Sequence, residues 1–191
     1  YFVEDVAIVT QDIAVITRPG APSRAGETAY IEPPLANYRD LAWIRQPGTL
    51  DGGDVMMVED HCYIGISERT NVVGASQLGA ILENHGIKWT PVPLAEGLHL
   101  KSDVNYLGRN TLLLSKAMSK LEVFSQYDQV IVDKEEALAA NTLLVNGRLL
   151  TPKGFPQTKA RLQSQGFDII ELETSEAGKM DGGLSCMSLR F

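Results

Sequence analysis

Apolar runs recur along the chain in one order: a strand, a tight turn, a second strand, a helical stretch and a third strand, repeated about four times. Residues 6–9 and 13–17 flank the polar turn Thr10-Gln11-Asp12, and residues 55–58 and 62–66 flank Glu59-Asp60-His61, as short hairpins require. Residues 143–145 and 148–150 flank Asn146-Gly147, a hairpin signal because both central residues of a type I′ turn take positive φ. Asn71 caps a helix with Val72, Ala75, Leu78, Ile81 and Leu82 on one face, stopped by Gly86. Residues 156–165 form a second helix, with Pro156 suited to its first turn and Gly166 to its exit, followed by a strand over 167–172. Pro33-Pro34 is expected to interrupt the helix of the first repeat, which restarts beyond them.

The repeats begin near Glu4, Asp54, His99, Asn141 and Cys186, roughly 42 to 50 residues apart, a period shared by propellers and other repeat arrays. If each start faces a common axis, acid, acid, imidazole, amide and thiol converge. An open α/β sheet of successive βαβ units is the alternative. Residues 187–191 read as one short strand after Cys186, and in a closed ring its partners would come from the N-terminal end. The chain starts at Tyr1 inside what reads as a strand, so the pattern is that of a ring lacking a first unit of about sixty residues.

Seventeen basic against twenty-four acidic side chains give a formal charge of −7, which argues against a nucleic-acid partner and suits a cationic small ligand. The longest apolar stretches, 142–145 and 111–114, are too short to cross a bilayer, so no membrane anchor is expected. Two cysteines in 191 residues do not make a disulfide framework, which favours a reducing, cytoplasmic setting.

Cys186 follows Asp181-Gly182-Gly183-Leu184-Ser185, a loop whose glycines let backbone approach a ligand. The residues alone leave it open between a buried small side chain and a reactive thiolate, whereas Cys62, inside an apolar strand, reads as packing. His99 alternates with Leu98 and Leu100 as on a strand and is a candidate proton donor, with a hydrogen-bonded structural histidine as the alternative. Glu4-Asp5 and Asp51-Gly52-Gly53-Asp54 set carboxylates at the mouths of apolar strands, where they need partners. A guanidinium is the partner carboxylates bind best. The rival is a divalent ion on carboxylates and His99, although no ligand pair shares a helical spacing.

Phe2-Val3-Glu4-Asp5, Thr17-Arg18-Pro19-Gly20-Ala21-Pro22-Ser23-Arg24, Asp51-Gly52-Gly53-Asp54, Ser67-Glu68-Arg69-Thr70-Asn71, Leu98-His99-Leu100-Lys101 and Asp181-Gly182-Gly183-Leu184-Ser185-Cys186 follow one another along essentially the whole chain. In this order they resemble the dimethylarginine dimethylaminohydrolases, within the guanidino-group-modifying superfamily that includes arginine deiminases and amidinotransferases. The resemblance implies an α/β fold, a five-fold pseudosymmetric ββαβ propeller forming one domain over 1–191, here without most of its first unit. It implies Cys186 as nucleophile, His99 as general acid and then base, and Asp51 as the carboxylate orienting histidine and guanidinium, where some relatives carry Glu. Asp5, with Glu4 beside it, would bind guanidinium nitrogens, Arg24 and Arg69 the substrate α-carboxylate, and the Met180 carbonyl the α-amino group. It implies a methylarginine substrate yielding citrulline, no cofactor and no metal, and it allows a homodimer. The alternatives are a relative acting on arginine itself or transferring its amidino group, and a non-catalytic binder of arginine derivatives. The family's N-terminal unit, with a lid and a further acid, has no counterpart in the sequence, from which weak activity or none would follow if this were the whole polypeptide.

Overall fold

A computed structural model describes residues 2–95 and 98–190. Tyr1 and Phe191, the outer ends of the two expected terminal strands, lie outside the described residues. Two compact units form, one of residues up to Leu100 joined by those from Cys186 onward, the other of Lys101–Ser185.

The first unit builds two three-stranded sheets on one plan. β1 (Ala7–Val9) pairs antiparallel with β2 (Ile13–Ile16), the chain crosses through α1 (Thr28–Leu35), and β3 (Asp40–Trp43) returns parallel to β2. β4 (Val55–Val58), β5 (His61–Ile66), α2 (Val72–Glu83) and β6 (Lys88–Pro93) repeat the arrangement. A tight turn can join only antiparallel strands, so the parallel third strand requires a longer crossover, which a helix supplies in both sheets of this unit. β2 is buried throughout. Val15 joins a cluster with Leu50, Val55, Ile64, Leu78 and Leu82, while Ala14 and Ile16 join one with Ala7 and Leu35. That split is the two-residue period of a strand covered on both faces.

The chain passes into the second unit through α3 (Leu100–Asp103). β7 (Val104–Tyr106) and β8 (Thr111–Ser115) form a hairpin, and β9 (Asp128–Val132) lies parallel to β8. Here two 3-10 turns, Met118–Lys120 and Glu122–Phe124, replace the crossover helix. β10 (Leu143–Val145), β11 (Arg148–Pro152), α4 (Pro156–Ser164) and β12 (Ile169–Leu172) complete a fourth sheet, and α5 (Ser175–Gly178) follows. Asn146 and Gly147 take φ of 49° and 77°, as the expected type I′ turn demands. Leu113, Val130, Leu149 and Leu162 share this unit's core.

Four expectations change. The helix α1 continues through Pro33 and Pro34 instead of breaking. Both prolines fall in its last turns, and the Ala29 and Tyr30 carbonyls that lose their i+4 donors belong to exposed residues that water can serve. Residues 3–6 form a 3-10 turn and not the strand from which the chain was expected to start. Residues 187–190 form no strand: Ser185–Met187 is a 3-10 turn, and the partly buried Leu189 packs on the Ala7, Ile16 and Leu35 cluster. Val72, placed on the apolar face of α2, is exposed, whereas Ala75, Leu78 and Leu82 are buried.

Glu136 shows how the second unit holds its last crossover. It stands at a kink in the 3-10 segment Lys134–Ala140, and its buried carboxylate accepts from the Gln157 amide at 3.0 Å and from the Thr158 amide and hydroxyl at 2.7 Å each. These amides open α4 and have no partner within the helix. Burial alone would raise the Glu136 pKa, but the three donors outweigh it and the pKa is lowered. A lowered folded-state pKa contributes stability above the unfolded-chain value and loses it as pH falls through the folded value. Glu136→Gln should therefore cost about 2 kcal/mol in neutral denaturant melts, with the gap to wild type closing in acid.

Candidate active site

Asp51, Asp5 and His99 come together in the first unit from three separate segments. Asp51 precedes the 3-10 turn Gly52–Asp54, Asp5 lies in the turn Val3–Val6, and His99 precedes α3. His99 is thus on a loop entering a helix, not on the expected strand. Its Nε2 lies 3.0 Å from Asp51 Oδ2 and 3.9 Å from Asp5 Oδ1, with all three side chains buried. Burial would lower the His99 pKa. The bond to Asp51 and the charges of Asp5, Asp54 and Asp51 overcome that, and the pKa is raised above 6.5.

Backbone amides hold both acids. Asp51 Oδ1 accepts from the Gly20 amide at 2.8 Å, and Asp5 Oδ1 from the Gly53 amide at 2.8 Å. Neither position has room for a side chain. A Cβ on Gly53 would stand 2.7 Å from the His99 ring, and one on Gly20 would stand 2.3 Å from the Arg69 carbonyl oxygen. The glycines of the two acidic and basic motifs therefore set how closely carboxylates, imidazole and the Arg69 turn approach.

Arg24 and Arg69 differ in how they are held. Arg24 ends the turn Pro22–Arg24; its Nη1 donates to Asp5 Oδ2 at 2.5 Å, its Nη2 to the Phe2 carbonyl at 2.9 Å and Glu27 Oε2 at 2.7 Å, and its Nε to Glu27 at 3.0 Å. Glu27 first, then Asp5, keep this guanidinium firmly charged against burial. The half-buried Arg69 lies in the turn that the Ser67 amide closes on the Thr70 carbonyl at 3.0 Å. Among the described residues, its guanidinium enters no ion pair. Glu4 is buried beside Asp5.

Cys186 is half-buried, forms no disulfide, and belongs to the same compact unit as His99, Asp51 and Asp5. Ser185 before it is fixed by Asn141, whose Oδ1 accepts the Ser185 amide at 2.9 Å and whose Nδ2 donates to the Ser185 hydroxyl at 3.1 Å. Cys62 is fully buried in the core, as read from its strand. Met180 lies in the second unit, after α5, with half its surface exposed.

Asp5, Asp51 and His99 each present a ligand atom within 4.8 Å of the others, a set that could hold a metal ion. Each carboxylate oxygen of the pair already accepts one hydrogen bond, from Gly53, Arg24, Gly20 or His99. The arrangement favours binding of a donor-rich cation or shuttling of a proton on Nε2.

The N(G),N(G)-dimethylarginine dimethylaminohydrolase of Pseudomonas aeruginosa is 45% identical over 192 aligned positions, covering all of this chain and 76% of the relative. The chain belongs to the dimethylarginine dimethylaminohydrolase family. No protein-family model matches it. A solved structure of the Pseudomonas aeruginosa enzyme, a cysteine-to-serine variant complexed with citrulline, superimposes with a TM-score of 0.98, over all of this chain and 75% of that one. A second, described as a dimethylarginine dimethylaminohydrolase adduct with S-methyl-L-thiocitrulline, gives 0.97 at 45% identity, over all of this chain and 76% of that one.

Sequence reasoning did not find Glu27, and it quoted Gly20, Ser67 and Thr70 as members of motifs without giving them a role. Glu27 carried a signal, being three residues beyond Arg24 in a turn, whereas the contacts of the others span distant segments.

His99 provides a pH test. A raised folded-state pKa contributes stability that is complete below the unfolded-chain value near 6.5 and is lost as pH rises through the folded value. NMR titration should place the His99 midpoint above 6.5, and Asp51→Asn should bring it down.

Proposed function

We propose that the chain hydrolyses Nω-methylated arginine to citrulline and dimethylamine or methylamine, through a covalent S-alkylthiouronium on Cys186. The observation that carries this reading is the near-identical backbone shared with a 45%-identical enzyme complexed with citrulline, with His99, Asp51 and Asp5 meeting in one buried cluster.

In this reaction the Cys186 thiolate attacks the guanidinium carbon, forming a C–S bond and moving an electron pair onto nitrogen. His99, whose protonated form its acids favour, donates a ring proton to the departing amine as the C–N bond breaks. His99, now neutral, takes a proton from water that adds to the thiouronium carbon. The C–S bond then breaks as the added hydroxyl releases its remaining proton to solvent, citrulline leaves and the thiolate is restored. Asp51 orients the imidazole, and Asp5 with Glu4 faces the guanidinium, whose positive charge keeps its carbon electrophilic.

Arg69 is the stronger candidate for the substrate α-carboxylate. Arg24 has four of its five N–H groups engaged by Glu27, Asp5 and Phe2, which leaves it one donor and no fork. Arg69→Ala should raise KM about ten-fold or more with a smaller change in kcat.

We read the four ββαβ-type sheets as units of a five-fold pseudosymmetric propeller that form one domain, with the Cys186 segment opening a further unit. No helix among the described residues is long and apolar enough to cross a membrane, and a cytoplasmic location is part of this proposal.

Purified protein given asymmetric dimethylarginine should release dimethylamine and citrulline, Cys186→Ser should abolish turnover, and a chelator should leave it unchanged. Release of ammonia from arginine instead would favour a deiminase, and loss of activity to the chelator would favour the metal.

A further inference from the structure

Apart from the effect of its charge on His99, Asp54 has no role above, yet it is fully buried and at the centre of a ring of hydrogen bonds. Its Oδ1 accepts from the Leu100 amide at 2.9 Å, and its Oδ2 accepts from the Ser67 hydroxyl at 2.6 Å. The Ser67 oxygen in turn accepts from the Arg69 amide at 3.0 Å and the Thr70 amide at 3.1 Å. The Thr70 hydroxyl accepts from the Asp51 amide at 3.1 Å, and the Asp54 amide donates to the Asp51 carbonyl at 3.0 Å, which closes the ring. Three pieces of the site are tied to one carboxylate: the peptide that follows His99, the turn that carries Arg69, and the backbone of Asp51.

We propose that Asp54 is a positioning residue for the reaction, acting through Leu100 and Ser67 to hold His99, Arg69 and Asp51 in register; this rests on the functional reading above. The donor count explains why a carboxylate is needed. The Ser67 oxygen has two lone pairs, both taken by amides, so its hydroxyl must donate and Asp54 must accept. Leu100 also requires an acceptor, so both side-chain oxygens of residue 54 must be acceptors at once. Asparagine offers only one. Its NH2 would face either the Ser67 oxygen, as a third donor, or the Leu100 amide, as a donor against a donor. Either way one bond of the ring is lost, and a shift of His99 by a fraction of an ångström is costly when proton transfer depends on its placement.

The test uses the full chain and three variants, with kcat, KM and melting temperature measured well below the melting transition. Asp54→Asn and Ser67→Ala should lower kcat by about ten- to hundred-fold and raise KM, while Ser67→Thr, which keeps the hydroxyl, should stay near wild type. Should Asp54→Asn fail to fold, Ser67→Ala, at a less buried position, carries the same prediction. A purely structural role would lower the melting temperature with kcat per folded enzyme unchanged, and that outcome would overturn the proposal, as would Ser67→Thr failing as badly as Ser67→Ala. Hydrogen exchange at the Leu100 amide reads the ring without turnover. Protection lost in Asp54→Asn, at the Leu100 amide or at the Arg69 and Thr70 amides that Ser67 holds, supports it even if wild type releases no dimethylamine, in which case the functional reading alone fails; protection retained at all three overturns it.

Discussion

The contact between His99 Nε2 and Asp51 Oδ2, 3.0 Å long and out of water, is the interaction on which the site depends. Removing a charged pair from water costs several kcal/mol for each ion, and mutual attraction repays it only where the remaining lone pairs are also satisfied. The fold satisfies them with backbone. Gly20 serves the second oxygen of Asp51, Gly53 serves Asp5, and Leu100 serves Asp54. Hairpins and crossovers of the first unit exist in this context as the means of delivering amides from residues far apart in sequence to three neighbouring carboxylates.

That concentration of acid has a chemical meaning. The bond to Asp51 and the charges of Asp5, Asp54 and Asp51 raise the His99 pKa against the pull of burial, which favours the protonated imidazole that the first half of the proposed reaction uses. The same field favours a planar cation. Arg24 already shows that Asp5 accepts a guanidinium N–H at 2.5 Å in this environment. In the proposed reaction the electrophile brings its own positive charge, so the site's electrostatics serve to keep that charge in place next to a thiolate, where an acyl-transfer site would instead stabilise an oxyanion.

Much of the fold was legible because it is written locally. Asn146-Gly147 specifies its turn by φ, Asn71 caps α2 by accepting the Gly74 amide at 2.8 Å, and Pro156 and Gly166 bracket α4. What failed was set by context. Pro33 and Pro34 are tolerated because the carbonyls they orphan belong to exposed residues, and in residues 187–190 Leu189 packs on the first unit's core without the segment forming a strand. Of the candidate site, the acids and His99 stood out as polar groups within apolar runs. The Asp54, Ser67 and Thr70 ring did not, since its bonds join residues up to 46 positions apart and leave no periodicity in the sequence. Arg24 and Arg69 look alike in sequence, and only Glu27 and Asp5 distinguish them.

The central claim is that Cys186 carries the substrate carbon while His99 serves both halves of the reaction. Acid-quenching the protein during turnover of asymmetric dimethylarginine, followed by intact mass and peptide mapping, tests it most directly. The account predicts a mass gain equal to the substrate less dimethylamine, confined to the peptide containing Cys186. Turnover with no adduct, or with the adduct on another residue, would contradict it.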